Sequence, residues 1–134
     1  MPAVPAPRPA VLGGYVAAML AALLMPVPAT PAYLPGGFDK LVHVGLFLGF
    51  ALLLAWTAQG LRERRTLVAF GSTAAFAALV EVLQLLLPYR SGDVVDLAAG
   101  VAGGLIGAVL GGLTGAADRC RAGRSPTALL PWIE

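Results

Sequence analysis

Two short clusters hold most of the residues in this chain that could do chemistry. Asp39 and His43 are four apart, with Lys40 beside them, so on a helix Asp39 and His43 share a face. Glu81 and Gln84 are three apart and share a face in the same way. Arg90, Asp93 and Asp96 follow closely. Each cluster borders a long apolar run, and Glu81 lies ~9 Å inside the end of its run at helical rise. A carboxylate that deep normally faces a protein interior or a wet cavity and has a partner, so Lys40, Arg90 or a metal is expected beside it. Asp39, Glu81, Asp93 and Asp96 against Lys40 and Arg90 leave a formal balance of 2 − 4 = −2 with histidine neutral. That balance suits a cation or a head group rich in hydrogen-bond donors. A second chemistry is open: Lys40 and Arg90 would grip a phosphate while His43, Glu81 and Asp96 exchange protons or ligate an ion. No spacing is diagnostic of a metal site, and none is assigned; the residues name no cofactor.

The same residues have plainer uses. Asp39 can cap a helix, and Lys40 can snorkel to an interface. His43 can be a satisfied buried histidine, Glu81 can sit in a private ion pair, and Gln84 can bond between helices. Arg90 can anchor to lipid phosphate, Asp93 can be a turn or cap residue, and Asp96 can complement a helix dipole.

The elements that must position these residues are apolar and long. The 134-residue chain is 58% hydrophobic and only 12% charged, with mean hydropathy +0.83. Soluble domains carry about 25% charged residues. Apolar stretches run over 11–27, 41–58, 67–87 and 97–113. At ~1.5 Å per residue each crosses most of a ~30 Å hydrocarbon core, and a spanning backbone must bond to itself, so each reads as a helix. The expected fold is all-α: a polytopic four-helix transmembrane bundle. Residues 1–10 form an N-terminal segment, 11–115 the membrane domain and 116–134 an arginine-rich tail. Prolines 26, 28, 31 and 35, with Gly36 and Gly37, close the first stretch. Residues 59–65 form a charged turn, and 88–96 a polar one. Arg8, Arg62, Arg64, Arg65, Arg119, Arg121 and Arg124 fall on one side of such a bundle, Lys40 and Arg90 on the other. The positive-inside rule then puts both termini in the cytoplasm of a bacterial inner membrane, with the loops around Asp39 and Ser91 outside. A cleaved signal peptide is the rival reading of the first stretch, ending near Val27, Pro28 and Ala29. The weakly charged start and the dense prolines favour retention.

In the fourth stretch Gly103, Gly107, Gly111 and Gly115 recur every four residues, and Gly100 and Gly104 make a second row. Gly103, Gly107 and Gly111 are therefore expected to admit a neighbouring helix of the same bundle at close range. The lone cysteine, Cys120, permits no internal disulfide. A net charge of +2, without a basic stripe interleaved with aromatics, argues against nucleic acid. Partners are membrane lipids and, on the functional readings below, a lipid-linked or cell-wall precursor.

The order Asp39-Lys40-x-x-His43-x-x-x-Phe47, then Glu81-x-x-Gln84-x-x-x-Pro88-x-Arg90, then Asp96 and Gly103-x-x-x-Gly107, resembles the VanZ-like family of small bacterial membrane proteins. The resemblance covers roughly 39–112. The family pattern usually places asparagine four residues after the last aspartate, where this chain has Gly100. It implies a four-span membrane protein, and the founding member is linked to low-level teicoplanin resistance. Three functions fit. One is an envelope protein with an outward polar pocket that binds or shields a cell-envelope ligand and alters glycopeptide susceptibility. Another is an intramembrane enzyme acting on lipid-linked phosphate or cell-wall precursors. The third is a small transporter. Whether any reaction is catalysed stays open; no P-loop, serine-hydrolase elbow or metalloprotease motif is present.

Overall fold

The computed structural model describes residues 8–26, 37–90 and 92–122. The segment 1–7, the proline loop over 27–36 with its candidate cleavage site, Ser91, and the tail beyond 122 with Arg124 lie outside the described residues. Four α-helices form a bundle, with no strand among the described residues. They are α1 (Arg8–Leu24), α2 (Phe38–Thr57), α3 (Arg65–Leu85) and α4 (Val94–Ala122). A short 3-10 segment, Gln59–Arg64, joins α2 to α3. Gly37 opens α2 with φ +91°, a left-handed conformation that glycine adopts without strain.

Three helices are long and apolar enough to cross a membrane: Phe38–Thr57, Arg65–Leu85 and Val94–Ala117. The apolar part of α1, Pro9–Leu24, is shorter. The bundle's outer surface is apolar, with Leu67, Leu86 and Val94 each more than 70% exposed. Such a surface is stable against lipid rather than water.

Helix ends shift by a few residues from the hydropathy reading, and two differences bear on the site. α4 continues to Ala122, through the first part of the expected tail. Its last turns, Ala116-Ala117-Asp118-Arg119, need no apolar face, because helix propagation depends on backbone bonding and alanine and arginine are good helix formers. Arg65 was expected in a charged turn, yet it begins α3 and is buried.

α2 and α4 make the most extensive pair, α3 packs on α4 next, and α1 is the outlying member. The glycine rows explain this order. A Cβ at Gly103 or Gly107 would sit within 3.0 Å of the backbone carbonyl of Val44 or Leu48 on α2. Gly111 faces the Ala55 Cβ in the same row. Of the second row, Gly104 faces Thr73 of α3, as Gly112 faces Thr66, while Gly100 meets Phe47 of α2 and Ala77 of α3. α4 thus touches two helices at near-backbone distance, as small-residue motifs allow without a hydrophobic driving force in lipid.

The core changes character along the axis. Towards the Lys40 end it is bulky: Met19, Leu23, Phe47, Phe50, Ala77 and Val80. Phe76 packs against Phe50 at 5.0 Å and Phe47 at 6.3 Å between ring centroids. Towards the Arg65 end it shrinks to Ala51, Ala55, Ala69 and Ala108.

Candidate functional site

Lys40 stands in the first turn of α2, where its stem reaches across to the start of α4. Its ammonium lies 3.2 Å from Asp39 Oδ2, 3.3 Å from Asp93 Oδ2 and 3.2 Å from Asp96 Oδ1. These are all the ion pairs among the described residues. Asp96 is the most enclosed partner, at 13% side-chain exposure against 58% for Asp39. Asp39 also lies in the first turn of α2, and Asp96 in that of α4, where carboxylates complement the helix dipole.

Asp93 organises the cluster. It precedes α4, and its Oδ1 accepts the Val95 N–H at 2.9 Å, an N-cap arrangement. Its Oδ2 takes Lys40. Its own N–H donates to Glu81 Oε1. The Val95 N–H and the Lys40 ammonium together hold the Asp93 carboxyl below the usual carboxylate range. A single turn residue thereby links α2, α3 and α4. Gly92 lets the chain pass: a Cβ there would collide with Leu85 and approach Glu81 Oε1 to 3.1 Å.

Glu81 is buried, and among the described residues it pairs with no cation. The expectation of Lys40 or Arg90 beside it is corrected. Depth demands a partner for a carboxylate, but the loop before α4 dips far enough to supply a backbone donor instead. No group of three or more His, Cys, Asp or Glu among the described residues is placed to hold a metal ion.

His43 is buried behind this layer. Its Nδ1 lies 3.1 Å from the Asp39 carbonyl oxygen. A carbonyl only accepts, so the hydrogen of this contact is assigned to Nδ1. Nε2 is buried with no hydrogen-bond partner. The ring stacks on Phe47 at 6.2 Å and 22°. Gly100 admits that Phe47, since a Cβ there would come within 2.9 Å of it.

Gln84 and Arg90 face the other way. Gln84 Nε2 donates to Leu23 O at 2.9 Å, Tyr89 Oη to Leu24 O at 3.2 Å, and Arg90 Nη2 to Met25 O at 2.7 Å. The last carbonyls of α1 have no partners in their own helix and attract donors, a cation most of all. So the expected convergence divides. Asp39, Lys40 and Asp96 meet, with Asp93 at the centre; Glu81 and His43 attach through backbone groups; Gln84 and Arg90 hold α1. Asp93 was visible in the sequence as a turn or cap residue, but its link to Glu81 runs through its N–H, which residue type does not signal.

A helical bundle with three helices fit to cross a membrane and a polar cluster at one end defines a small integral membrane protein. The VanZ/LLP1 family model matches residues 11–114, most of the chain, and the chain belongs to that family. No curated protein and no solved structure matches it.

Proposed function

We propose that this VanZ-like membrane protein spans the bacterial inner membrane with both termini cytoplasmic, and that its Lys40 cluster binds a cell-envelope ligand at the outer face, altering glycopeptide susceptibility. The carrying observation is the Lys40 ammonium shared by Asp39, Asp93 and Asp96, with Glu81 tied to the same loop. Four carboxylates against one ammonium leave a formal 1 − 4 = −3, since Arg90 is turned to α1. That excess favours a ligand bearing a cation or many hydrogen-bond donors, such as an amino-sugar or amine-bearing head group. The arginine and lysine asymmetry supports the sidedness. The contacts from Gln84, Tyr89 and Arg90 support retention of α1 as a working part of the bundle.

The function is tested by expressing the wild type and Asp96→Asn in a susceptible bacterium and measuring the inhibitory concentration of teicoplanin. The wild type should raise it, and the variant, at equal membrane abundance, should not. Equal inhibitory concentrations with and without the wild-type protein would remove the proposal. Sidedness is tested separately with a cysteine placed at Ser91, in a chain whose Cys120 is replaced. A membrane-impermeant reagent should label it from outside.

A further inference from the structure

At the opposite end of the bundle a second cation is held in a very different way. Arg65 is only 6% exposed. Its Nη2 donates to the Gly111 carbonyl of α4, which also accepts the Thr114 hydroxyl at 2.9 Å. Its Nη1 rests where any side chain at Gly115 would be. Its Nε is buried and has no partner. No carboxylate among the described residues pairs with it, for all the ion pairs there belong to Lys40. A guanidinium has five N–H donors and a permanent charge. Here one carbonyl serves it, while an uncompensated buried charge is costly.

We propose that Arg65, with the exposed Arg64 beside it, holds the phosphate of an anionic phospholipid at this boundary of the bundle. Three observations converge on that ligand. Arg65 is the first residue of the apolar helix Arg65–Leu85, so a bilayer matched to the length of that helix would set its phosphates near Arg65. Phosphate oxygens accept from a guanidinium edge in a charge-assisted, bidentate manner, which supplies both the missing acceptor and the missing charge. Gly111 and Gly115 keep the guanidinium fixed against α4, so little side-chain freedom is lost on binding. An anionic head group is preferred over a zwitterionic one because no carboxylate among the described side chains pairs with Arg65.

The full chain in mild detergent would be titrated with phosphatidylglycerol and phosphatidylcholine, with retention read by native mass spectrometry and melting temperature. Wild type should retain phosphatidylglycerol preferentially. Arg65→Gln should weaken that retention about tenfold, as loss of a charged hydrogen bond implies, and Arg65→Lys should restore part of it. If Arg65→Gln fails to fold, Arg64→Gln carries the test, with a smaller loss expected. Equal retention of the two lipids by wild type, or undiminished retention by the variants, would overturn the site. Stabilisation by inorganic phosphate matching that by phosphatidylglycerol would replace the lipid with a soluble anion and overturn the assignment.

Discussion

The two ends of the bundle solve the same electrostatic problem with opposite means. At one end Lys40 is half-buried and surrounded by carboxylates from α2, α4 and the turn between α3 and α4. At the other Arg65 is buried on a surface made almost wholly of backbone, against Gly111 and Gly115. The core follows the same division, bulky beside the carboxylates and alanine-sized beside the arginine. α4 lies at backbone distance from α2 at Gly103 and Gly107, below the carboxylate cluster, and meets the Ala55 Cβ and the Arg65 side chain further along. Above Phe47 and Gly103 the helix ends and the turn before α4 supply several carboxylates, whereas beside Gly111 and Gly115 one guanidinium meets a carbonyl. Function is sought at the carboxylate end.

The largest expected effect breaks the packing of α4 on α2 that both ends share. Gly107→Leu drives a side chain into the Leu48 carbonyl and Ala51. Backbone cannot yield as a side-chain tip does, so the cost reaches about 3 kcal/mol, the upper range for overpacking. Folded yield and melting temperature measure it. Gly71→Leu is the control, since nothing lies within 4 Å of its Cβ position. Wild-type behaviour of Gly107→Leu would show that α4 does not meet α2 through this row.

The next effect tests whether α1 belongs to the carboxylate end. Gln84→Leu leaves the Leu23 carbonyl without its buried donor, a loss of about 1–3 kcal/mol. The readout is protease sensitivity of α1 alongside the melting temperature, with Arg90→Met as a weaker companion because Arg90 is partly exposed. Unchanged protection of α1 in both variants would detach it from the site.

Much of this contrast was legible in the residues. Hydropathy located all four helices, because an apolar run in lipid has no stable backbone option but a helix. The four-residue recurrence of glycine identified the packing face of α4, and Asp39, Lys40 and Asp96 were legible as one level because helix ends fix depth. Three things were not. Arg90 turns to α1 because the free carbonyls of a helix end are invisible to residue type. Glu81 is met by a backbone N–H, which any residue at 93 other than proline would carry. Arg65 reads as a turn arginine in a charged run, and only the glycines of α4, fifty residues later, make a buried place for it.

Within the Lys40 cluster, enclosure ranks the carboxylates. Asp96→Asn should lower the melting temperature more than Asp39→Asn, since Asp96 is 13% exposed and Asp39 58%. Exposed pairs contribute little and are screened by salt. Thermal melts at low and high salt check both points: the Asp39 variant should match wild type at high salt, and the Asp96 variant should not. Equal effects of the two would mean that Lys40 is held by the cluster as a whole rather than chiefly by α4.

The smallest effect concerns protons, and it sharpens the role of Asp93. Its carboxyl is held below the ordinary value of 3.8 by the Val95 N–H first and by Lys40 after it. A carboxyl whose pKa is depressed on folding releases its proton more readily in the native state than in the unfolded chain. Its stabilising contribution is therefore complete above the unfolded value of 3.8, declines as pH falls below it, and is gone beneath the folded pKa. Melting temperature should be flat from neutral pH down to about 4 as far as Asp93 is concerned, then fall. Asp93→Asn removes that titration but retains an oxygen for Val95, since asparagine caps helices nearly as well as aspartate. The variant should thus melt slightly below wild type at neutral pH and converge with it in acid. Parallel melting curves for the two proteins across the acid range would show that Asp93 acts through its oxygen alone, and that Lys40 is held without its charge.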